Sequence, residues 1–216
     1  MSAADPDWHS LLASAPLLGP SPQARADWLA GRVDYCVWAL RIDDPAVLDR
    51  MATVQRALGS LITPCPLADA HLTLFVAGFP NPAPQRDDDV DPAVLLAQEA
   101  ALLAQDAPAF TLQIGAARSF RSAPYLQVFD PHGALGPLRA ALAPFRELRF
   151  GPFTPHLTLG HIAADGPAAP LTAALAPFTA LPALPIAVRA VHRLVFDGRQ
   201  PHSPLRTAAT LPLRPG

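Results

Sequence analysis

AHLTLFVAGF at 70–79 and TPHLTLGHI at 154–162 carry the same four residues, HLTL, at 71–74 and again at 156–159. Side chains of an extended strand alternate between faces, so His71 and Thr73 share one face while Leu72, Leu74 and Val76 take the other. His156 and Thr158 stand in the same relation to Leu157 and Leu159. Each copy offers an imidazole beside a hydroxyl, backed by leucines that seat the strand in a core. With seven His in 216 residues, random placement gives roughly 0.3 H-x-T matches. Two copies, both with Leu in the other slots, need a common cause.

Working outward, the order of elements repeats as well. YCVWALRIDDPAVL (35–48) and YLQVFDPHGAL (125–135) each read as a strand closed by an Asp/Pro helix start, followed by one helix and one HLTL strand. In the first unit, Val47, Met51, Val54 and Leu58 fall at helical spacing up to Gly59. In the second, the helix in GPLRAALAPFREL (136–148) is interrupted at Pro144. A period near 90 residues is too long for a solenoid and fits two halves of one fold. Between the units lie a charged loop at 80–91, an Ala/Leu helix at 92–105 and a strand at 110–120. PIAVRAVHRLVFDG (185–198) and LRTAATLPL (205–213) read as two strands of a closing hairpin. Residues 1–32 are expected to form an N-terminal extension with a short helix at PQARADWLAGR, and 33–216 a single bilobal domain.

Half of the residues are hydrophobic, enough for a sizeable core, and all 16 basic residues are Arg. A net charge of −2 excludes a basic nucleic-acid coat but leaves room for a small phosphorylated ligand held by local groups. Two cysteines, Cys36 and Cys65, match neither a disulfide framework nor a zinc pattern and read as structural thiols. The start MSAADPDWHS has no basic residue ahead of an apolar stretch, unlike a signal peptide, and no run of apolar residues is long enough for a membrane span. A cytoplasmic location is expected, with no membrane and no obligate protein partner.

Paired imidazoles divide the labour of phosphodiester chemistry. An unperturbed histidine titrates near 6.5, so one can take a proton while its neighbour gives one. The attacking and leaving oxygens lie on opposite sides of phosphorus, so His71 and His156 should flank it, with Thr73 and Thr158 donating to the non-bridging oxygens. No metal or other cofactor is required. The plain alternative is a pair of satisfied histidines on a half-exposed sheet. The remaining candidates are weaker. Asp87, Asp88 and Asp89 read as solvated loop carboxylates rather than metal ligands. A zinc site from His71, His156 and His161 lacks the helix-borne pattern of zinc proteases. His161 falls on the opposite face of its strand from His156, and His192 alternates with Val188, Ala190 and Leu194 like a core histidine. His132 and His202 sit in loops. Phe75 shares the His71 face if the strand stays regular, where it would stack on a base or simply pack. Arg118, Arg121 and Tyr125 lie near a turn within reach of a nucleotide, although exposed Arg is the commoner case on turns.

At these motifs the sequence resembles the two-histidine (2H) phosphoesterase superfamily of 2′-5′ RNA ligase-like proteins and cyclic nucleotide phosphodiesterases, from about residue 33 onward. The resemblance implies an α+β fold, bilobal and pseudo-symmetric, with two antiparallel sheets around a central groove and helices outside. It implies His71 and His156 as the acid/base pair and Thr73 and Thr158 as phosphate ligands; Phe75 and Tyr125 are candidates for substrate contact from their positions in the chain alone. The partner would be a nucleotide or RNA terminus bearing a cyclic phosphate. Hydrolysis of that phosphate, 2′-5′ ligation, and non-catalytic binding of a nucleotide or RNA end are the activities in play. Many bacterial relatives carry a basic residue where this chain has Phe75, and often Arg where it has His161, which points away from a long, many-phosphate RNA.

Overall fold

The computed structural model describes residues 12, 15–148, 151–200 and 204–215. His202 and the start of the N-terminal extension lie outside them. The described chain runs α1 (Pro22–Leu29), β1 (Asp34–Arg41), α2 (Pro45–Leu58), β2 (Ile62–Pro64), β3 (His71–Pro80), β4 (Asp89–Val90), α3 (Pro92–Leu103), β5 (Phe110–Ser119), β6 (Pro124–Phe129), α4 (Leu135–Leu142), β7 (His156–Thr158), β8 (Gly160–Ile162), α5 (Ala169–Leu175), β9 (Leu184–Val188), β10 (Ala190–Asp197) and β11 (Arg206–Pro212).

The strands form two main sheets, ordered β11-β10-β1-β3-β4 and β7-β6-β5-β9, plus a ribbon of β2 with β8. The first sheet is antiparallel except for a short parallel pairing of β3 with β4. This is the expected α+β architecture in two related halves: β1-α2-β3 in one sheet matches β6-α4-β7 in the other. Each HLTL strand lies on the inner side of its sheet, and β3 packs against β7.

Local chemistry explains the helices. Asp44 caps α2 by accepting from the amides of Ala46 and Val47, and Asp91 caps α3 from Ala93, each followed by Pro in the first turn. The apolar stripe Val47, Met51, Val54 and Leu58 of α2 is buried, as its spacing predicts. On α3, Leu95, Gln98 and Leu102 face inward, and the buried Gln98 Oε1 accepts from Trp38 Nε1 at 2.8 Å, satisfying the indole of a fully buried ring. α4 ends at Leu142, before Pro144.

Two expectations need correction. The stretch 185–198 is not one strand of the closing hairpin: β9 belongs to the second sheet and β10 to the first, with Arg189 at the crossing. An unbroken period-two pattern does not register a change of sheet; only the β10–β11 half forms the hairpin. The aspartate run is solvated only at Asp87, whose side chain is 92% exposed. The Asp89 carboxylate, with 1% of its side chain exposed, accepts from Arg32, Asn81 and the amides of Gln85 and Arg86, and Asp88 also pairs with Arg32. The Gln85 amide, then Arg32 and Asn81, hold Asp89 well below the ordinary carboxylate range. The expected short helix forms as α1, and the described part of the extension packs on the domain. Trp28 of α1 meets Tyr35 and Phe79 with ring centroids 4.9 Å apart in each case, Leu12 and Leu17 enter the core, and Arg121 Nε donates to Pro16 O.

Gly160, directly after the second HLTL, marks where β8 presses on β2. A Cβ there would lie 2.6 Å from the Thr63 carbonyl oxygen and 3.0 Å from Pro64 Cα, both backbone atoms. Gly160→Ala is expected to cost about 1–3 kcal/mol in urea unfolding. Gly136→Ala, on α4 where a Cβ meets nothing within 4 Å, is expected to stabilise by about 0.4–1 kcal/mol.

Candidate active site

The groove between the sheets is built from strand register. On the first sheet His71 pairs with Arg41 and Thr73 with Ala39; Ala39 in turn pairs with His192, and His192 with Thr210. Cross-strand partners share a face, so these residues form two adjacent rows on one surface. On the second sheet His156 pairs with Gln127, and Thr158 with Tyr125, which pairs with Arg118. Both motif histidines and both threonines are half-buried, whereas Leu72, Leu74, Leu157 and Leu159 are fully buried.

The two imidazoles are held alike. His71 Nδ1 lies 2.7 Å from the carbonyl oxygen of Asp69, and His156 Nδ1 lies 2.7 Å from that of Thr154. A carbonyl only accepts, so Nδ1 carries the proton in both rings and Nε2 is the nitrogen left for chemistry. Pro155 supports the second arrangement by keeping Thr154 extended.

Their electrostatics differ in one respect. Burial lowers the proton affinity of His71, with the Asp69 carbonyl and carboxylate acting to raise it and Arg41 to lower it. Burial likewise lowers His156, the Thr154 carbonyl opposes this, and the charge of His71 lowers it further. The two rings are therefore close enough to sense each other, and only His71 has a carboxylate beside it among these influences. Asp69 is itself 3.7 Å from Arg41.

Several sequence candidates are displaced from the groove. Phe75 does not reach it: β3 carries a bulge, since Thr73 faces Ala39 while Phe75 faces Trp38, leaving Leu74 as an extra residue. The bulge exchanges the faces of Phe75 and Val76. Phe75 is 2% exposed in the main core, and Val76 packs with Val37, Ala39 and Leu194 on the His71 side. His161 is exposed on β8, opposite Thr63. His132 is exposed in the turn before α4. His192 is not a core histidine; it is half-exposed, 3.2 Å from Thr210 Oγ1, in the row of Thr73. Arg118 is half-buried and donates to Thr179 O at 3.0 Å. Both cysteines are free thiols, pushed up to about 11 by burial.

Tyr125 is brought beside the pair, its ring 5.4 Å from that of His156, but it is buried beneath Phe120, which stacks on it at 4.4 Å. Phe120 meets His156 edge-on at 5.1 Å and is half-exposed. Sequence reading missed Phe120, Arg41 and Gln127, whose positions follow from register between distant strands. Among the described residues no cluster of His, Cys, Asp or Glu is placed to hold a metal ion, and no helix is long and apolar enough to cross a membrane. A separate cavity of about 350 Å³, lined by Asp87, Asp89, Asp91 and Arg146 among others, includes none of the motif residues, and its carboxylates suit a phosphate poorly.

Comparison with known proteins bears on the family and the fold. The model of the 2′-5′ RNA ligase superfamily matches residues 44–200. A solved protein of Thermus thermophilus superposes with a TM-score of 0.58 at 16% identity, covering 84% of this chain and 98% of that one. LigT of E. coli in its apo form gives 0.57 at 18% identity, over 84% of this chain and 98% of LigT. LigT complexed with 3′-AMP gives 0.56 at 18%, over 84% and 99%. At such identities the likeness to these structures speaks for the fold alone. No curated protein sequence matches the chain.

Because burial holds both imidazoles neutral in the folded protein, the unfolded chain binds protons first as the pH falls. Their contribution to stability is fully present above about pH 6.5 and is lost below it. Between about pH 7.5 and about pH 5.5, the melting temperature of the His71→Gln/His156→Gln double variant should fall less than that of wild type in scanning fluorimetry. Equal slopes would show that the pair does not carry this pH dependence.

Proposed function

The chain belongs to the 2′-5′ RNA ligase superfamily, and from that premise we propose that it is a metal-independent phosphoesterase hydrolysing a 2′,3′-cyclic phosphate, or a related cyclic phosphodiester, on a nucleotide or RNA end. The observation that carries this reading is the matched tethering of His71 and His156 by Nδ1 to a backbone carbonyl two residues back. It supports two Nε2 atoms available to one phosphate, each beside a threonine hydroxyl.

In this mechanism the phosphate binds between β3 and β7, with the Thr73 and Thr158 hydroxyls donating to its non-bridging oxygens. Arrival of the anion favours an imidazolium, and the Asp69 carboxylate makes His71 the better holder of that proton. His156, whose proton affinity the charge of His71 depresses, serves as the base. His156 Nε2 takes a proton from water as the water oxygen bonds to phosphorus. The opposite P–O bond of the ring breaks, and its oxygen takes the proton from His71 Nε2. The product is a ring-opened phosphomonoester, and the proton on His156 returns to His71 or to solvent.

The half-exposed Phe120 ring, edge-on to His156, offers a surface for a base, while Tyr125 serves as its support. Arg41 is already committed to Asp69 and to Ala68 O, so the groove suits a nucleotide or a short end better than a long polyanion. That E. coli LigT has been solved with 3′-AMP and with ATP supports a ligand of that size. With a hydroxyl of a second RNA end replacing water as the nucleophile in the same ring-opening step, the same pair would perform the joining for which the superfamily is named.

Turnover of 2′,3′-cyclic nucleotides in EDTA tests the proposal. Wild type should hydrolyse them, and His71→Ala and His156→Ala should each lose about 10²–10⁴-fold in kcat. Unchanged activity in either variant sinks the assignment. Loss of wild-type turnover in EDTA points to a metal, and binding of a 2′-nucleotide without turnover of the cyclic substrate points to a pure binding protein.

A further inference from the structure

The two halves of the molecule exchange a contact at equivalent places. Helix α2 precedes the first HLTL strand, yet its Gln55 Nε2 donates to Leu159 O, in the last position of the second HLTL, at 2.8 Å, and to Cys65 O at 2.8 Å. Helix α4 precedes the second HLTL strand, yet its Arg139 Nη1 donates to Leu74 O, in the last position of the first HLTL. Gln55 and Arg139 occupy matching helices of the duplicated unit. Each reaches across to the other unit's motif.

The carbonyls they hold lie where the strands are irregular. Leu74 is the extra residue of the β3 bulge, so pairing with β1 does not set its position. Leu159 sits between the end of β7 at Thr158 and the start of β8 at Gly160. In the first copy the ladder breaks one residue after Thr73; in the second the Leu159 amide still donates to Pro124 O at 2.9 Å and its carbonyl also accepts from the Cys65 amide at 3.1 Å, and in both a side chain from the other half holds the carbonyl there. Arg139 is held in its turn: Nη2 lies 2.8 Å from Glu147 Oε2, and the guanidinium stacks 4.0 Å above the ring of Phe153, three residues before His156. It thus touches the first motif and the approach to the second at once. The Leu148 amide adds a bond to Val76 O at 3.1 Å on the same stretch of β3.

We infer that Gln55 and Arg139 are a reciprocal pair of positioning residues, each anchoring the opposite HLTL strand so that His71 and His156 keep the separation a bridging phosphate requires. The inference rests on the two-histidine reading above for its catalytic consequence but not for its geometry. Neither side chain meets the substrate. Their effect is on alignment, and a displacement on the scale of 1 Å at a reacting group lowers turnover by up to about a hundredfold.

The test uses Arg139→Ala, Arg139→Lys and Gln55→Met in the full-length protein, with two readouts. In the first, kcat on a 2′,3′-cyclic nucleotide should fall about tenfold to a hundredfold while KM stays within about threefold. Guanidinium ion at millimolar concentration, but not ammonium, should restore part of the loss in Arg139→Ala. In the second, NMR titration of the two imidazoles, which needs no turnover, should show the curves of His71 and His156 displaced in variants that still melt cooperatively. Arg139→Lys and Gln55→Met serve if Arg139→Ala does not fold. Imidazole titrations that superimpose on wild type in the folded variants overturn the clamp, whatever the kinetics; displaced titrations support it. If wild type does not turn over the cyclic substrate, the proposed function falls and the titrations alone decide the clamp.

Discussion

The structure depends on the apposition of two strands, β3 and β7, one from each main sheet. An exposed strand edge is a liability, because its amides and carbonyls need partners. Here β3 meets β4 only at Phe79 and Pro80, and β7 is the last strand of its sheet. Both are covered by side chains and loop amides of the opposite half: Arg139 and the Leu148 amide on β3, Gln55 and the Cys65 amide at the end of β7. Satisfying the edges in this way adds to the shared core and the β2–β8 ribbon in joining the lobes without merging the sheets, and a groove with an imidazole on each wall is left between them.

That arrangement decides the electrostatics. A histidine on an ordinary half-exposed sheet titrates near its usual value; His71 and His156 do not, because each is recessed and each feels its surroundings in a confined space. Tethering Nδ1 to a carbonyl resists this depression and fixes the ring. The balance leaves two neutral imidazoles in the free protein, a state that an arriving phosphate monoanion or dianion would change. Asp69 then breaks the near-symmetry of the site: its carbonyl orients His71, its carboxylate pairs with Arg41 and accepts from the Leu205 amide, and its charge favours the imidazolium on that side.

Much of this was legible in the sequence, since it rests on short-range rules. Alternation in HLTL places His and Thr together, helical spacing finds the buried stripe of α2, and Asp-Pro pairs mark helix starts. The duplicated order of strand, helix and HLTL gives the two halves. What escaped depends on register between strands far apart in the chain. The β3 bulge that removes Phe75 from the groove is a mismatch with β1, visible only once Thr73 faces Ala39 and Phe75 faces Trp38. His192 looked like a core residue because its neighbours are apolar, but Val191 and Leu194 bury on different faces, and a bulge against β11 lies between Arg193 and Leu194. Asp89 looked solvated because its neighbours are acidic and the loop is rich in proline. Its burial follows from Arg32, which no local pattern connects to it.

The bulge itself is better understood as part of the site than as a defect of the strand. A regular β3 would place Phe75 beside Thr73 on the groove wall and turn Val76 into the main core. Inserting Leu74 lets Phe75 fill the core opposite Trp38 and leaves the smaller Val76 against Val37 and Ala39, so the wall next to the proposed phosphate position stays low. Such an insertion loosens the strand at the residue after Thr73, and on the proposed function this strand carries an acid or base that has to be held in place. Arg139 supplies the missing restraint from the other half of the molecule, as Gln55 does where β7 gives way to β8. Shaping the groove and bracing it are therefore a single problem, answered in each half by the helix of the other.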